Sequence, residues 1–289
     1  MIKKISLLIL IAAFGVPHLL FSQSEEGWEN YVDWAWQGDF RPFIEATYGD
    51  GIPKRRDFQG EFARFGVAEA KLGYSEIKRF EKYVWGLDER YLFGSYSSTD
   101  LNLLQDIAKE DTLGKVQPEM IRFGFGQRNG YGYQIGPIEL LPFYQFAMAW
   151  TEVKTKRPVN LVQEDVDILD RYEGEYRFGE VNETALKFQL FKSLAVTGSY
   201  EYSLVFPRHI FWEWMGSYLL RFTAINAISV FSEDIISRTA FLGPLFYFAF
   251  KNGLAYIFYN SMTYNMNWPF KSEKPLTLET FKLGVSFTF

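Results

Sequence analysis

TLETFKLGVSFTF, residues 277–289, places Phe281, Leu283, Val285, Phe287 and Phe289 on one face of an extended chain. Thr280, Lys282, Gly284, Ser286 and Thr288 fall on the other. Side chains of a strand alternate with a period of two, so this segment predicts a strand that is apolar on one side and polar on the other. The same alternation recurs upstream. Val196, Tyr200, Tyr202 and Leu204 oppose Thr197, Ser199, Glu201 and Ser203, and Tyr144, Phe146, Met148 and Trp150 oppose Gln145, Ala147, Ala149 and Thr151. Ile121, Phe123 and Phe125 oppose Arg122, Gly124 and Gly126; Ala68, Ala70, Leu72 and Tyr74 oppose Glu69, Lys71, Gly73 and Ser75. Pro42, Ile44, Ala46 and Tyr48 oppose Arg41, Glu45 and Thr47, with Phe43 breaking the pattern.

Composition agrees with a wall of such strands. The 29 Phe, 18 Tyr and 8 Trp make up 19% of 289 residues, yet mean hydropathy is −0.12. Abundant aromatics with a neutral average are expected when lipid-facing and lumen-facing positions alternate. A helical membrane protein would instead carry repeated apolar runs of about 20 residues. Residues 1–22 read as a signal peptide, with Lys3 and Lys4 before the apolar stretch Ile5 to Val16 and cleavage near Ser22–Gln23. Loss of those two lysines takes the net charge from −5 to −7, which argues against a nucleic-acid partner. There is no cysteine, hence no disulfide framework and no lipid-anchoring thiol.

The terminal strand, with Phe289 last and apolar residues at every second position before it, resembles the final strand of outer-membrane β-barrel proteins. The chain resembles that broad class and, within it, the aromatic-rich barrels of Bacteroidota-like bacteria, with no single family singled out. The resemblance implies an outer-membrane bilayer as surroundings, and it implies that barrel-insertion machinery reads Phe281, Leu283, Val285, Phe287 and Phe289. An envelope protein complex is a further expected partner.

The expected fold is therefore an all-β membrane protein, a closed antiparallel transmembrane barrel of about 12 strands, with ten to fourteen allowed. It occupies 39–289, after a mature N-terminal segment 23–38 rich in tryptophan. Turns are expected at Arg128-Asn129-Gly130, Lys251-Asn252-Gly253 and Phe191-Lys192-Ser193. The first two contain a glycine for the left-handed position. The second pairs Phe250 with Leu254, Phe248 with Tyr256 and Phe246 with Phe258, making 239–261 a hairpin. The third pairs Leu190 with Leu194 and Phe188 with Val196. Eleven strands are evident, and because single-chain bacterial barrels have an even number, Tyr172–Glu180 is taken as the twelfth. This arrangement puts both termini and the short turns on the periplasmic side and Ser97–Glu119 outside, but leaves the long Thr155–Arg171 segment on the periplasmic side.

The stretch from Pro207 to Ser237 does not alternate and predicts a helix over 208–234. Glu213 and Arg221 oppose its crossing a bilayer, at about 2.5–3.5 kcal/mol each near the centre. A helix on the outer leaflet is one alternative. The preferred expectation is a helix plugging or capping the lumen, because Leu245, Tyr247, Ala249, Ile257 and Tyr259 would give the following hairpin an apolar inner face that needs covering.

Candidate chemistry is sparse. His209, Glu213 and Ser217 share an i, i+4, i+8 row, which suggests a lipid-modifying acyl hydrolase or transferase as the alternative function. Inward positions carry Arg41, Glu45, Glu69, Lys71, Arg122, Lys187, Glu201 and Lys282, readable as a solute-selecting lumen or as an internal salt-bridge network filling a narrow barrel. Asp165 to Asp170 is acidic but lacks the glycine and terminal glutamate of a calcium loop. No metal and no cofactor is expected. The leading function is a small plugged or gated barrel for passage of a small or apolar solute, or a structural role in an envelope complex.

Overall fold

The computed structural model describes residues 40–289 apart from 82, 103–111 and 240. The expected signal peptide and the Trp-rich segment after it lie outside the described residues. Eight antiparallel strands close into a barrel: β1 (Arg41–Lys54), β2 (Phe65–Glu81), β3 (Val84–Ser98), β4 (Gln117–Ile135), β5 (Ile138–Lys156), β6 (Tyr176–Phe191), β7 (Leu194–Val205) and β8 (Leu276–Thr288). Each strand pairs with its neighbour in sequence, and β8 closes on β1 with Val285 opposite Ala46.

The strand number is eight rather than about 12, for two reasons. The strands are long: β4 and β5 have 19 residues each, whereas about 9–11 suffice to cross a bilayer at the usual tilt. Arg128-Asn129-Gly130 is therefore the middle of β4, where Gly130 pairs with Phe143. A Cβ on Gly130 would come within 2.1 Å of the Pro142 carbonyl oxygen, so glycine serves close strand approach there and not a turn. Tyr172–Glu180 is likewise no separate strand, since its second half opens β6 and Tyr172 packs in the loop cluster described below.

The second reason is helical. Besides α1 (Gln163–Asp170), the chain forms α2 (Phe211–Arg238) and α3 (Gly243–Met262). The expected 239–261 hairpin with its 251–253 turn is thus α3, opened by Pro244 in its first turn.

The real turns are tight and all lie at one end. Glu81 pairs with Val84, Ile135 with Ile138 across Gly136-Pro137, and Phe191 with Leu194 across Lys192-Ser193. Gly136 takes φ +63°, the left-handed conformation that a two-residue hairpin turn demands. Phe188 does pair with Val196; a bulge between Gln189 and Phe191 replaces the expected Leu190–Leu194 pair. Both ends of the barrel sheet, Arg41 and Thr288, belong to this short-turn end. The long connections 55–64, 99–116, 157–175 and 206–275 leave and rejoin the barrel at the other. With eight strands, the 157–175 segment joins the other long loops, which removes the misfit that twelve strands had created.

Candidate functional site: a paired-charge interior and a helix-covered wall

Alternation carries five carboxylates (Glu45, Glu69, Glu89, Glu183, Glu201) and five cations (Lys71, Arg122, Arg128, Lys187, Lys282) into the interior, each at most 6% exposed. They form one connected network. Toward the short-turn end, Arg128 donates to Glu45 through both terminal nitrogens (2.8 and 2.5 Å), to Glu89 at 2.9 Å and to Gln145 at 2.8 Å. Lys187 also pairs with Glu89. Lys71 bridges the middle, within 3.5 Å of Glu45, Glu69 and Glu183. Beyond it, Lys282 reaches Glu183, Glu201 and Glu69 at 2.5, 2.8 and 2.9 Å, while Arg122 donates to Glu201 at 2.6 and 3.1 Å. Rings flank the cations, with Arg128 over Tyr91 and Phe143 and Arg122 over Phe93.

One oxygen from each of Glu69, Glu183 and Glu201 falls within 4.8 Å of the others, the spacing of a metal site. The Lys282 ammonium already stands among all three. Apolar clusters bracket the charged zone. Leu87, Leu141, Phe143 and Ala185 lie toward the short turns. Phe62, Phe65, Val67, Val116, Met120, Leu169 and Tyr172 are among those at the loop end. Asp165, on α1, accepts backbone N–H groups of Gln59 and Gly60 at 3.0 and 2.8 Å and so ties two loops together across the barrel mouth.

Of the expected lumen residues, Glu45, Glu69, Lys71, Arg122, Lys187, Glu201 and Lys282 point inward, whereas Arg41 is exposed at the start of β1. Sequence reasoning missed Glu89, Arg128 and Glu183. Arg128 had been assigned to a turn. Glu183 stands four residues before Lys187, hence on the same face of one strand, and that spacing would have found it.

Helix α2 is no lumen plug: with α3 it lies against the outer wall. Lys187 and Glu183 meet partners across the interior, so Glu180, Asn182 and Thr184 of the same strand face out. Asn182 accepts from Tyr144 of β5 at 2.7 Å, whereas Glu180 and Thr184 find their partners on the helices. Glu180, fully buried, accepts both terminal nitrogens of Arg221 at 2.7 Å and the Trp214 indole N–H at 2.7 Å. Thr184 donates to Asn252 at 2.7 Å, and Asn129 of β4 accepts from Lys251 at 2.8 Å and from Tyr247 at 3.1 Å. Near the short-turn end, the Tyr133 hydroxyl donates to the Phe241 carbonyl, so the helical hairpin runs most of the wall's length.

The polarity of both helices is inverted relative to a soluble surface helix. Arg221, Ser217, Lys251 and Asn252 are buried, while Leu219, Leu220, Val230, Phe231, Leu245, Phe246, Phe250 and Ile257 are exposed. No helix among the described residues is long and apolar enough to cross a membrane.

The His209, Glu213 and Ser217 row does not assemble. Helix α2 begins at Phe211, so His209 precedes it and sits among the rings of Phe178, Phe211 and Trp214, where burial pushes its pKa down. Ser217 donates to the Trp268 carbonyl and accepts from Arg221, and Glu213 accepts from Asn267 at 3.4 Å.

No protein-family model and no curated protein matches the chain. Among solved structures, neisserial surface protein A overlaps it with a TM-score of 0.39 at 8% identity, covering 86% of this chain and 97% of that one. Ail, the attachment invasion locus protein of Yersinia pestis, overlaps at 0.28, again at 8% identity, over 86% of this chain and 98% of its own. Ail in complex with the heparin analogue sucrose octasulfate does so at 0.31 and 8% identity, over 86% and 99%.

Proposed function

We propose that the chain is an outer-membrane β-barrel with a structural role, a filled scaffold that holds four long connections on one side of the bilayer and a helical hairpin along its wall. The observation that carries this reading is the interior, where five acids and five bases pair between two apolar clusters. A water-filled path would leave such charges hydrated instead of bonded to one another. The membrane part rests on physical grounds. A closed barrel satisfies its backbone N–H and C=O groups between strands, which hydrocarbon requires, and Leu72, Leu92, Phe281 and Leu283 stand exposed on the outer face. Short turns at one end and long connections at the other match the periplasmic and external sides of such barrels. Within this reading, residues 1–22 direct export and are removed, and the terminal strand ending in Phe289 is what the insertion machinery engages. The loop end is the surface available to an envelope complex.

Purified protein reconstituted in planar bilayers is expected to give no conductance steps. Discrete, reproducible steps would contradict the filled interior and restore the passage of a small solute as the leading function.

A further inference from the structure

Between the helical hairpin and the barrel wall lies a cavity of about 40 Å³. One water needs roughly 10–15 Å³ by this measure, so the space admits about three water-sized atoms. Its polar lining includes Gln127, Asn129, Asn226 and Lys251, and its apolar lining Phe146, Phe222 and Ile225, the last three only half-buried.

Two features of this lining bear on what it holds: Lys251 has a full set of hydrogen-bond acceptors but no counter-charge, and Asn226 has an unused donor. Lys251 is 2% exposed, yet its ammonium contacts only neutral groups among the described residues: Asn129 at 2.8 Å, Ser229 at 3.1 Å, Tyr247 at 2.7 Å and the Tyr144 and Tyr247 rings. The nearby Glu180 is taken by Arg221 and Trp214. The Asn226 side-chain nitrogen is buried without a hydrogen-bond partner. A buried cation without a carboxylate beside an unused N–H donor is a site lacking an anion.

We propose that this cavity holds the head of an amphipathic carboxylic acid, a long-chain fatty acid taken from the bilayer. One oxygen replaces Ser229, the longest of the three acceptors of the Lys251 ammonium, the other accepts from Asn226, and the chain leaves past Phe222 and Ile225. The volume selects the class: a carboxylate fits three atoms' space, whereas a glycerophosphate head group does not. The assignment rests on the wall-bound hairpin proposed above.

Full-length protein in a neutral maltoside detergent, titrated with palmitate labelled with carbon-13 at the carboxyl, tests it by NMR. One saturable equivalent is expected, with methyl palmitate unable to compete. Lys251→Met should weaken binding by at least about tenfold and Asn226→Leu by less, the scale of losing a charge-assisted hydrogen bond and a neutral one. Leu283→Ala, on the uncovered wall, should leave it unchanged. Heat-modifiable gel migration verifies that each variant is folded. Absence of saturable binding, equal competition by the ester, undiminished binding by a folded Lys251→Met variant, or displacement of palmitate by phosphatidylglycerol would each overturn the proposal. Binding is read in detergent wherever the hairpin lies in a bilayer, so failure here is separable from failure of the membrane reading.

Discussion

The barrel has two kinds of outer wall. Across the middle of β8, β1, β2 and β3 the outward side chains are those a bilayer would select, such as Val285, Ile44, Leu72 and Leu92, all exposed, and the outward charges Glu76, Lys78, Asp88 and Arg90 stand closer to the short turns. Across β4, β5 and β6 several outward positions are polar (Gln127, Asn129, Glu180, Asn182, Thr184), and α2 and α3 lie over that sector with complementary groups. The strand rule is the same in both sectors; what differs is what covers each face. On the proposed membrane reading, where the wall meets hydrocarbon directly the apolar requirement falls on the strand. Where helices intervene, it moves outward to Phe246, Phe250 and Leu220, and polar residues survive behind them.

The largest expected effect comes from breaking the ionic pair beneath the helices. Glu180→Leu leaves the Arg221 guanidinium buried without its carboxylate and should cost about 3–5 kcal/mol. Replacing both, Glu180→Leu with Arg221→Met, should recover most of that loss, since a buried pair often contributes little against an apolar substitute. Urea unfolding in lipid vesicles would measure both; a single variant as stable as the double would mean the helices do not depend on this contact.

On the bare wall a charge should be punished by lipid alone. Leu283→Arg is expected to cost about 2–4 kcal/mol if it lies near the bilayer midplane, with the penalty shrinking in detergent. Equal stability in both media would mean that Leu283 meets no hydrocarbon.

The smallest effect lies at the loop end, in the β1–β2 connection, where Asp57 receives an Arg55 hydrogen bond at 2.7 Å and stands 3.9 Å from Lys274, in the segment following α3. Partial burial raises the Asp57 pKa, but the Arg55 hydrogen bond and charge outweigh it and hold the carboxyl below its ordinary value. A folded-state pKa lower than the unfolded one stabilises above the unfolded value and ceases to as pH falls through the folded one. Protease resistance of the 55–64 loop should therefore decline below about pH 4, and Asp57→Asn should abolish that pH step. A step of the same size in the Asn variant would assign it to another group.

How much of this could be read in the sequence follows the same division. Thr277–Phe289 disclosed its strand, its two faces and Lys282 as an inward cation, because an uncovered apolar outer face and a polar interior force clean alternation. The covered sector hid its nature. Asn129 and Gly130 look like turn chemistry when read locally, yet in β4 they provide an outward polar contact and space for the neighbouring strand. Gly243–Met262 alternates well enough to mimic a hairpin because apolar residues lie on both its exposed side (Leu245, Phe246, Phe250, Ile257) and its buried side (Tyr247, Ala255, Phe258), so no polar stripe marks a 3.6-residue period. The interior network was half legible: Glu45, Lys71 and Lys282 sit in alternating runs, while Arg128 had been placed in a turn and Glu89 and Glu183 lie in none of the runs that alternation marked out. Nothing local in Pro207–Ser237 distinguishes a helix inside the barrel from one outside it, since that depends on Arg221 meeting a carboxylate on the outward face of β6.

Because the chain has no cysteine, single cysteines can report directly on the solvent at each wall. Spin labels at Leu220 and Phe250, on the helices, and at Leu283, on the bare wall, should all show high accessibility to oxygen and low accessibility to a water-soluble nickel chelate in reconstituted vesicles, with the opposite pattern at Val159 in a loop. Nickel accessibility at Leu220 and Phe250 matching that of Val159 would place the hairpin in water and contradict the account.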